Sequence, residues 1–335
     1  KDNSEEEISK NKQLKALFLS AKIDSLNITC NILKGDFYAD SLSYFPITEN
    51  FFSFKDLYQW QSPLTTKFFF TKQFYDDFSK NLTNYKKIEN VYLLGTSFAE
   101  NYYTNLAVFL PRIIFNNESQ IRLAIHRNLS NQFKDYILWI GKTYKKKITF
   151  VFLDNGMYHF KNSLIPQFMP INKTVQILRY LTKTKLDKNK KKSKKIYISR
   201  QNTNYRSIVN ESDLINFLKE EGFEIINPYV FKIKQQQKIF NSAKIIISAT
   251  GSNLANIIFC KKGTKIIEIG PNLKNSFQDK KYSRICKLLD LEYYKINTDT
   301  VNVAKHSSIA QKYINKQILE ESPYYKNLIV KISDI

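Results

Sequence analysis

Along the second half of the chain, short apolar runs closed by a small or polar residue alternate with stretches of helical spacing. KIYIS (195–199), FEIIN (223–227), KIIIS (244–248), TKIIEIG (264–270) and LEYYKI (291–296) read as strands. Between them, Asn210 or Ser212 is placed to cap a helix that runs to Glu221 and stops at Gly222. Residues 234–243, 253–259 and 282–289 carry the other helices. Strand and helix separated by short turns predict a doubly wound α/β domain.

The first half is less regular. NVYLLG (90–95) predicts a buried strand ended by Gly95. In 100–115, Leu106, Phe109, Leu110 and Ile113 recur at helical spacing, with Pro111 expected to kink or end the helix. IRLAIH (121–126) predicts a strand, then comes a helix to about Gly141, then the strand KITFVFLD (147–154). This β-α-β-α-β order predicts a parallel sheet. Residues 1–20 are charged and helix-prone, and 21–90, rich in Phe and Tyr, predict irregular structure with a few helices.

The segment KTKLDKNKKKSKK (183–195) repels itself and cannot form a core. It divides the chain into an N-terminal domain (1–182), a Lys-rich linker (183–195) and a C-terminal domain (196–300). Residues 301–335 are expected to form a helical segment that packs back on the N-terminal domain.

Composition adds bounds. With 335 residues and 43% hydrophobic content, two cores are affordable. The net charge of +22 attracts polyanions, among them an anionic membrane surface or phosphorylated substrates. No basic stripe carries interleaved aromatics, so no nucleic-acid partner is expected. Cys30, Cys260 and Cys286 stand far apart, which suits a reducing compartment, and His126, His159 and His306 have no metal-ligand spacing. No metal or cofactor is therefore expected. No apolar run reaches the roughly 20 residues of a membrane-spanning helix. A cytoplasmic protein, peripheral on the inner face of a membrane, is the expected location. The chain opens on Lys1 rather than Met, so loss of an N-terminal segment is expected. The sequence holds no GxGxxG, GxxxxGK[ST] or GxSxG motif.

The turn ATGSN (249–253) joins a strand to a helix, where uncovered N–H groups and the partial positive charge of a helix N-terminus suit phosphate. Gly251 permits close backbone approach, and Thr250 and Ser252 add hydroxyls. Arg200 follows a strand directly, with Arg206 six residues on, and two guanidiniums suit a diphosphate. Glu268 lies in an apolar run at a strand end. It is placed either to accept the hydroxyls of a ribose or to form a buried ion pair.

YISR, Arg206, Asn210-Glu211, GFEIINP, QQxxF (236–240), Ala243, GSNLANIIF and KIIEIGP together resemble glycosyltransferase family 61, which includes capsular polysaccharide biosynthesis proteins. NYYTNLAVFLPR (101–112) is similar to a first-half segment of that family. The resemblance implies a GT-B fold, with two Rossmann-like domains facing across a cleft. It implies inverting, metal-independent transfer from a nucleotide-diphosphate sugar, most simply a UDP-sugar, onto a glycan or glycolipid acceptor. By position, Arg200 and Arg206 carry over as diphosphate ligands, Asn210 and Glu211 as part of the donor site, and Thr250, Gly251, Ser252 and Asn253 as a phosphate and sugar cradle. Asn256 and Glu268 carry over too, the latter at the ribose. The family's first-half His, Trp and Asp are replaced by Thr104, Asn105 and Val108, and the His before its Gly by Thr250. Transfer needs a base for the acceptor hydroxyl. Asp154 is the first candidate and Glu100 the second. The alternative is a GT-B protein that binds nucleotide or glycan without transfer.

Overall fold

The computed structural model describes residues 17–41, 44–49, 71–95, 99–182, 193–201, 203, 206–273, 280–303 and 316–335. The chain divides into two compact units, Lys1–Thr182 and Lys183–Ile335. Both are mixed α/β.

In the first unit the sheet is built from β1 (Leu17–Ile23), β2 (Ile28–Asp40), β3 (Pro46–Ile47), β4 (Lys86–Glu89), β5 (Tyr92–Leu93), β6 (Gln120–His126), β7 (Lys147–Leu153) and β8 (Met157–Pro166). Its order is β1-β2-β8-β5-β6-β7, with β3 on β2 and β4 on β8. β8, β5, β6 and β7 pair in parallel, while β1-β2 and β2-β8 are antiparallel. The expected strands at 121–126 and 147–154 are present; the one at 90–95 shrinks to two residues. Of the irregular structure with a few helices expected over 21–90, Ile28–Asp40 and Pro46–Ile47 are instead strands in the antiparallel part of the sheet, Lys72–Asn81 is helical, and 42–43 and 50–70 lie outside the described residues. From Ile28 to Ile32 the burial alternates buried and exposed, as a half-buried strand requires. The alternation breaks at Leu33, buried like Ile32, shortly before a register shift between Gly35 and Phe37. Leu17–Ile23 is likewise strand rather than helix, and residues 1–16 of the expected helix lie outside the described residues.

Helices α1 (Lys72–Asn81), α2 (Asn131–Thr143) and α3 (Ile171–Leu181) flank this sheet. Thr71 and Ser130 cap α1 and α2 through the N–H groups of Phe74 and Phe133. The expected helix near 100–115 is a π-helical turn, Thr104–Phe109, that tightens into a 3-10 helix, Leu110–Phe115. Pro111, with no N–H to donate, sits where the winding changes. Arg112, on this helix, is 1% exposed. It donates to the carbonyls of Val108 (3.2 Å), Pro166 (3.2 Å) and Gly95 (2.5 Å), and its guanidinium stacks on Phe168 at 3.9 Å. The similarity in this segment thus ends on a core cation that holds three chain segments together.

The second unit has five parallel strands: β9 (Lys194–Ile198), β10 (Glu224–Ile226), β11 (Ala243–Ala249), β12 (Lys265–Gly270) and β13 (Glu292–Asn297). Their order is β10-β9-β11-β12-β13. Between them run α4 (Glu211–Glu220), α5 (Ile233–Asn241), a 3-10 helix (Ser252–Phe259) and α6 (Lys281–Leu288). Every element expected here from sequence is present, although 252–259 winds as 3-10 rather than α. β11 is apolar along most of its length because both its faces are covered, a feature of internal parallel strands.

The expectation for 301–335 is corrected. Its described part holds α7 (Lys316–Glu321) and β15 (Asn327–Ile329), which pairs antiparallel with β14 (Asp299–Val301). Leu328 and Val330 enter the same apolar cluster as Tyr197, Leu214, Ile247 and Ile269. The segment therefore belongs to the second unit, drawn there by the burial of its apolar residues. The Lys-rich stretch lies outside the described residues as far as 192; its last two residues open β9.

Candidate functional site

In the second unit, β9 connects to β10 on one side while β11 lies on its other side. The chain reverses its direction of travel across the sheet between β9 and β11. In an open parallel sheet, the carboxyl ends of two such strands leave a crevice between the loops that follow them. Arg200 follows β9, and Thr250-Gly251 follow β11.

The structure brings these residues together. Arg200 is 6% exposed, and a Cβ built on Gly251 would collide with its guanidinium. Gly251 is extended backbone, so what it supplies is room rather than an unusual dihedral angle. The Arg200 Nε donates to the carbonyl of Arg206 (3.2 Å), and its backbone N–H donates to Glu211 Oε1 (2.9 Å). That carboxylate oxygen also accepts from the Tyr197 hydroxyl (2.8 Å). Glu211 thus fixes the loop that carries Arg200. Arg206, in left-handed backbone geometry (φ 56°), is buried with its guanidinium over the Tyr324 ring at 4.1 Å.

The turn has the expected polarity. The first 3-10 bond of its helix runs from Leu254 N–H to the Gly251 carbonyl, so the N–H groups of Ser252 and Asn253 precede it, and no side chain caps them. Asn253 is buried, and its Oδ1 has no hydrogen-bond donor among the described residues. Thr250 N–H donates to the Ile269 carbonyl at 2.7 Å, and the Tyr282 hydroxyl, from α6, donates to the Gly251 carbonyl. Glu268 is 2% exposed and accepts from the Tyr293 hydroxyl at 2.8 Å and from Thr250. Burial pushes this carboxyl above its ordinary range, against the opposing pull of those two hydroxyls and of Lys295 and Lys281. Both readings of Glu268, the ribose partner and the buried ion pair, start from a carboxylate already bonded to two hydroxyls.

Two candidates serve the frame. Asn210 gives its side-chain amide to the Val330 carbonyl (2.8 Å) and accepts from the Val330 N–H (3.1 Å). Asn256 is fully buried and donates to Gln236 Oε1 (2.8 Å) and the Asn253 carbonyl (3.1 Å), holding the turn from behind. Sequence reasoning missed Lys281, Tyr282 and Tyr324. In a Lys- and Tyr-rich chain, only the fold distinguishes them.

In the first unit, the candidate bases Asp154 and Glu100 meet at the loop that follows β6. Arg127 Nε and Nη2 bond the Asp154 carboxylate at 2.5 and 3.3 Å, and Asn128 Nδ2 donates to Glu100 at 3.2 Å. His126, at the end of β6, is buried. Its Nδ1 accepts from the Asn128 N–H (3.1 Å), so its Nε2 carries the proton donated to Asn155 Oδ1 (2.7 Å). The Tyr44 hydroxyl accepts the His126 backbone N–H (2.8 Å), and its ring occupies space that any side chain at Gly95 would take. Tyr44, Gly95, Asn105 and His126 line a cavity of about 10 Å³, room for one water-sized group. The hydrogen bond from Arg127 holds the Asp154 carboxyl below its ordinary range. Sequence reasoning noted His126 only for its lack of metal-ligand spacing; its place at a strand's carboxyl end was the available signal.

Among the described residues, no helix is long and apolar enough to cross a membrane, and no cluster of His, Cys, Asp or Glu has the makings of a metal site. Residues 35–267, well over half of the chain, match the model of a protein family described as Glycosyltransferase 61. No curated protein matches the chain.

Proposed function

The chain belongs to glycosyltransferase family 61, whose members transfer sugars, and on that premise we propose an inverting transferase that takes its sugar from a nucleotide diphosphate bound at the second unit. The observation that carries this reading is the Arg200 guanidinium seated on Gly251, with Arg206 beside it, where the strand order reverses. Two cations and the leading N–H groups of the 252–259 helix suit the two phosphates, and their charge neutralises the leaving diphosphate without needing a metal. The buried Oδ1 of Asn253 offers an acceptor for a sugar hydroxyl. Two Rossmann-like units in a GT-B arrangement, a UDP-sugar as donor and a glycan or glycolipid of the cell surface as acceptor complete the proposal.

In the proposed step, the acceptor oxygen attacks the anomeric carbon and the bond to the diphosphate breaks. The electron pair leaves with the diphosphate, and the acceptor proton goes to Asp154, kept ionised by Arg127. Glu100 is the alternative base. Calorimetric titration with nucleoside diphosphates in EDTA tests the donor site. Binding by the wild type that is lost in Arg200→Ala is expected; no binding, or binding unchanged in that variant, refutes the assignment.

A second reading, binding without transfer, has its own observation. The ion pair that keeps Asp154 charged also makes it a weak base. Product formed from a panel of donor sugars excludes this reading.

A further inference from the structure

The segment matched to the family ends at residue 267, yet the chain beyond it is built into the same crevice. Residues 206–210 are held along the C-terminal segment. The N–H of Arg206 donates to the Lys326 carbonyl (3.2 Å), that of Ser207 to Asn327 Oδ1 (3.1 Å) and that of Val209 to the Leu328 carbonyl (2.9 Å). The N–H of Leu328 returns a bond to the Ser207 carbonyl at 2.9 Å. This pairing sets Arg206 over the Tyr324 ring. From another direction α6 docks on the turn: the Tyr282 hydroxyl bonds the Gly251 carbonyl, and the preceding residue, Lys281, carries its ammonium 5.0 Å from the Tyr282 ring.

We infer that Lys281 and the Arg206–Tyr324 stack form, with Arg200, a clamp of three cations that reads a diphosphate in preference to a monophosphate. This rests on the donor-site reading above and extends it to residues outside the family match. Arg200 at Gly251 serves one phosphate, and Lys281 is the compact point charge placed for the second. Tyr324 is a positioning residue, because it acts through Arg206.

The electrostatics agree with one shared cluster. Burial lowers the pKa of the Lys281 ammonium; Tyr324 opposes that, Arg206 adds to it, and Glu268 opposes it. Burial raises the Tyr324 phenol, but the charges of Arg206 and Lys281, a hydrogen bond from Arg206 and the charge of Arg200 outweigh it and hold the phenol below its ordinary range. Each group therefore feels the others. A pyrophosphate long enough to reach all three cations relieves more of their mutual repulsion than an orthophosphate, which reaches fewer of them at once.

The test is calorimetric titration of the full chain with inorganic pyrophosphate and with orthophosphate, probes that leave the base and sugar out. Lys281→Met is expected to weaken pyrophosphate about tenfold or more and orthophosphate less than about threefold. Lys281→Arg should restore most of the preference. Tyr324→Leu should also reduce it, by releasing the Arg206 guanidinium, while Arg200→Ala weakens both probes. If Lys281→Met and Tyr324→Leu keep the wild-type preference while Arg200→Ala loses binding, this inference falls and the donor site stands. If the wild type binds no pyrophosphate, both fall. Thermal melts check folding, and should Tyr324→Leu unfold, the Lys281 pair decides alone.

Discussion

The guanidinium of Arg200 fills the space above Gly251, so that any side chain at 251 would overlap it. The two residues come from loops that follow neighbouring parallel strands, β9 and β11. Glycine is needed there for room, because its backbone is extended and within reach of every residue type.

Gly251→Ala should therefore act on the arginine rather than on the turn. Arg200 must leave its seat or the turn must shift, at a cost of about 1–3 kcal/mol in stability. Affinity for a nucleoside diphosphate should fall about tenfold or more, since a misplaced guanidinium loses its charge-assisted bonds. Melting curves and calorimetry on the same variant separate the two effects. An alanine variant that binds as the wild type does would show that Arg200 is not a ligand from this position.

Glu268 makes a prediction about pH. Its folded carboxyl titrates above the ordinary range, because burial outweighs the hydrogen bonds from Thr250 and Tyr293. Between the unfolded and the folded pKa, the native state holds the proton that the unfolded chain has released. Stability contributed by this group is complete below the unfolded value and is lost as pH rises through the folded one. Glu268→Gln carries no such titration. Melting temperatures measured from acid to neutral pH should show the variant gaining on the wild type as pH rises. A constant difference across the series would refute a raised Glu268.

The second unit was legible because its chemistry is periodic. Apolar strands such as KIIIS (244–248), capped helices and Gly222 with its positive φ (78°) each obey local rules. The positions of Arg200 and the 250–253 turn were legible there for the same reason, since strand ends locate both. Residues 17–40 were not, because polar residues such as Asn31 and Lys34 interrupt the apolar positions and the shift at Gly35 breaks the period. Nor does spacing reveal that Asn256 bonds Gln236, or that residues 324–330 return to Arg206. Those contacts join residues distant in sequence, and only the assembled fold brings them together.

Arg112 illustrates a residue whose importance is structural. Its three carbonyl partners and the Phe168 face leave it almost no exposure to solvent, and burial lowers its pKa to about 10. Arg112→Met is expected to cost about 2–5 kcal/mol, because the buried carbonyls of Pro166 and Gly95 lose their donor. Arg112→Lys should recover only part of that, lacking the planar fork. Chemical denaturation of both variants measures it. Near-neutral stability in Arg112→Met would mean that these carbonyls find other partners.

Asp154 is the remaining case, and here the ion pair decides the sign. The hydrogen bond from Arg127, with its charge, keeps Asp154 below the ordinary carboxylate range. In its proposed role as proton acceptor, it is then ready over a wide pH range but weak. Arg127→Leu removes the partner and lets the pKa rise, so the acid limb of the pH–rate profile should move to higher pH. The rate on the plateau should hold or increase, as basicity grows with pKa. Asp154→Asn should cut the rate about a hundredfold or more. Rate profiles of both variants, with a donor accepted by the wild type, test this. If Asp154→Asn turns over at the wild-type rate, the base lies elsewhere, with Glu100, held by Asn128, next to be replaced. A limb unmoved in Arg127→Leu, with Asp154→Asn inactive, would mean that the limb reports another group and that Asp154 acts without taking the proton.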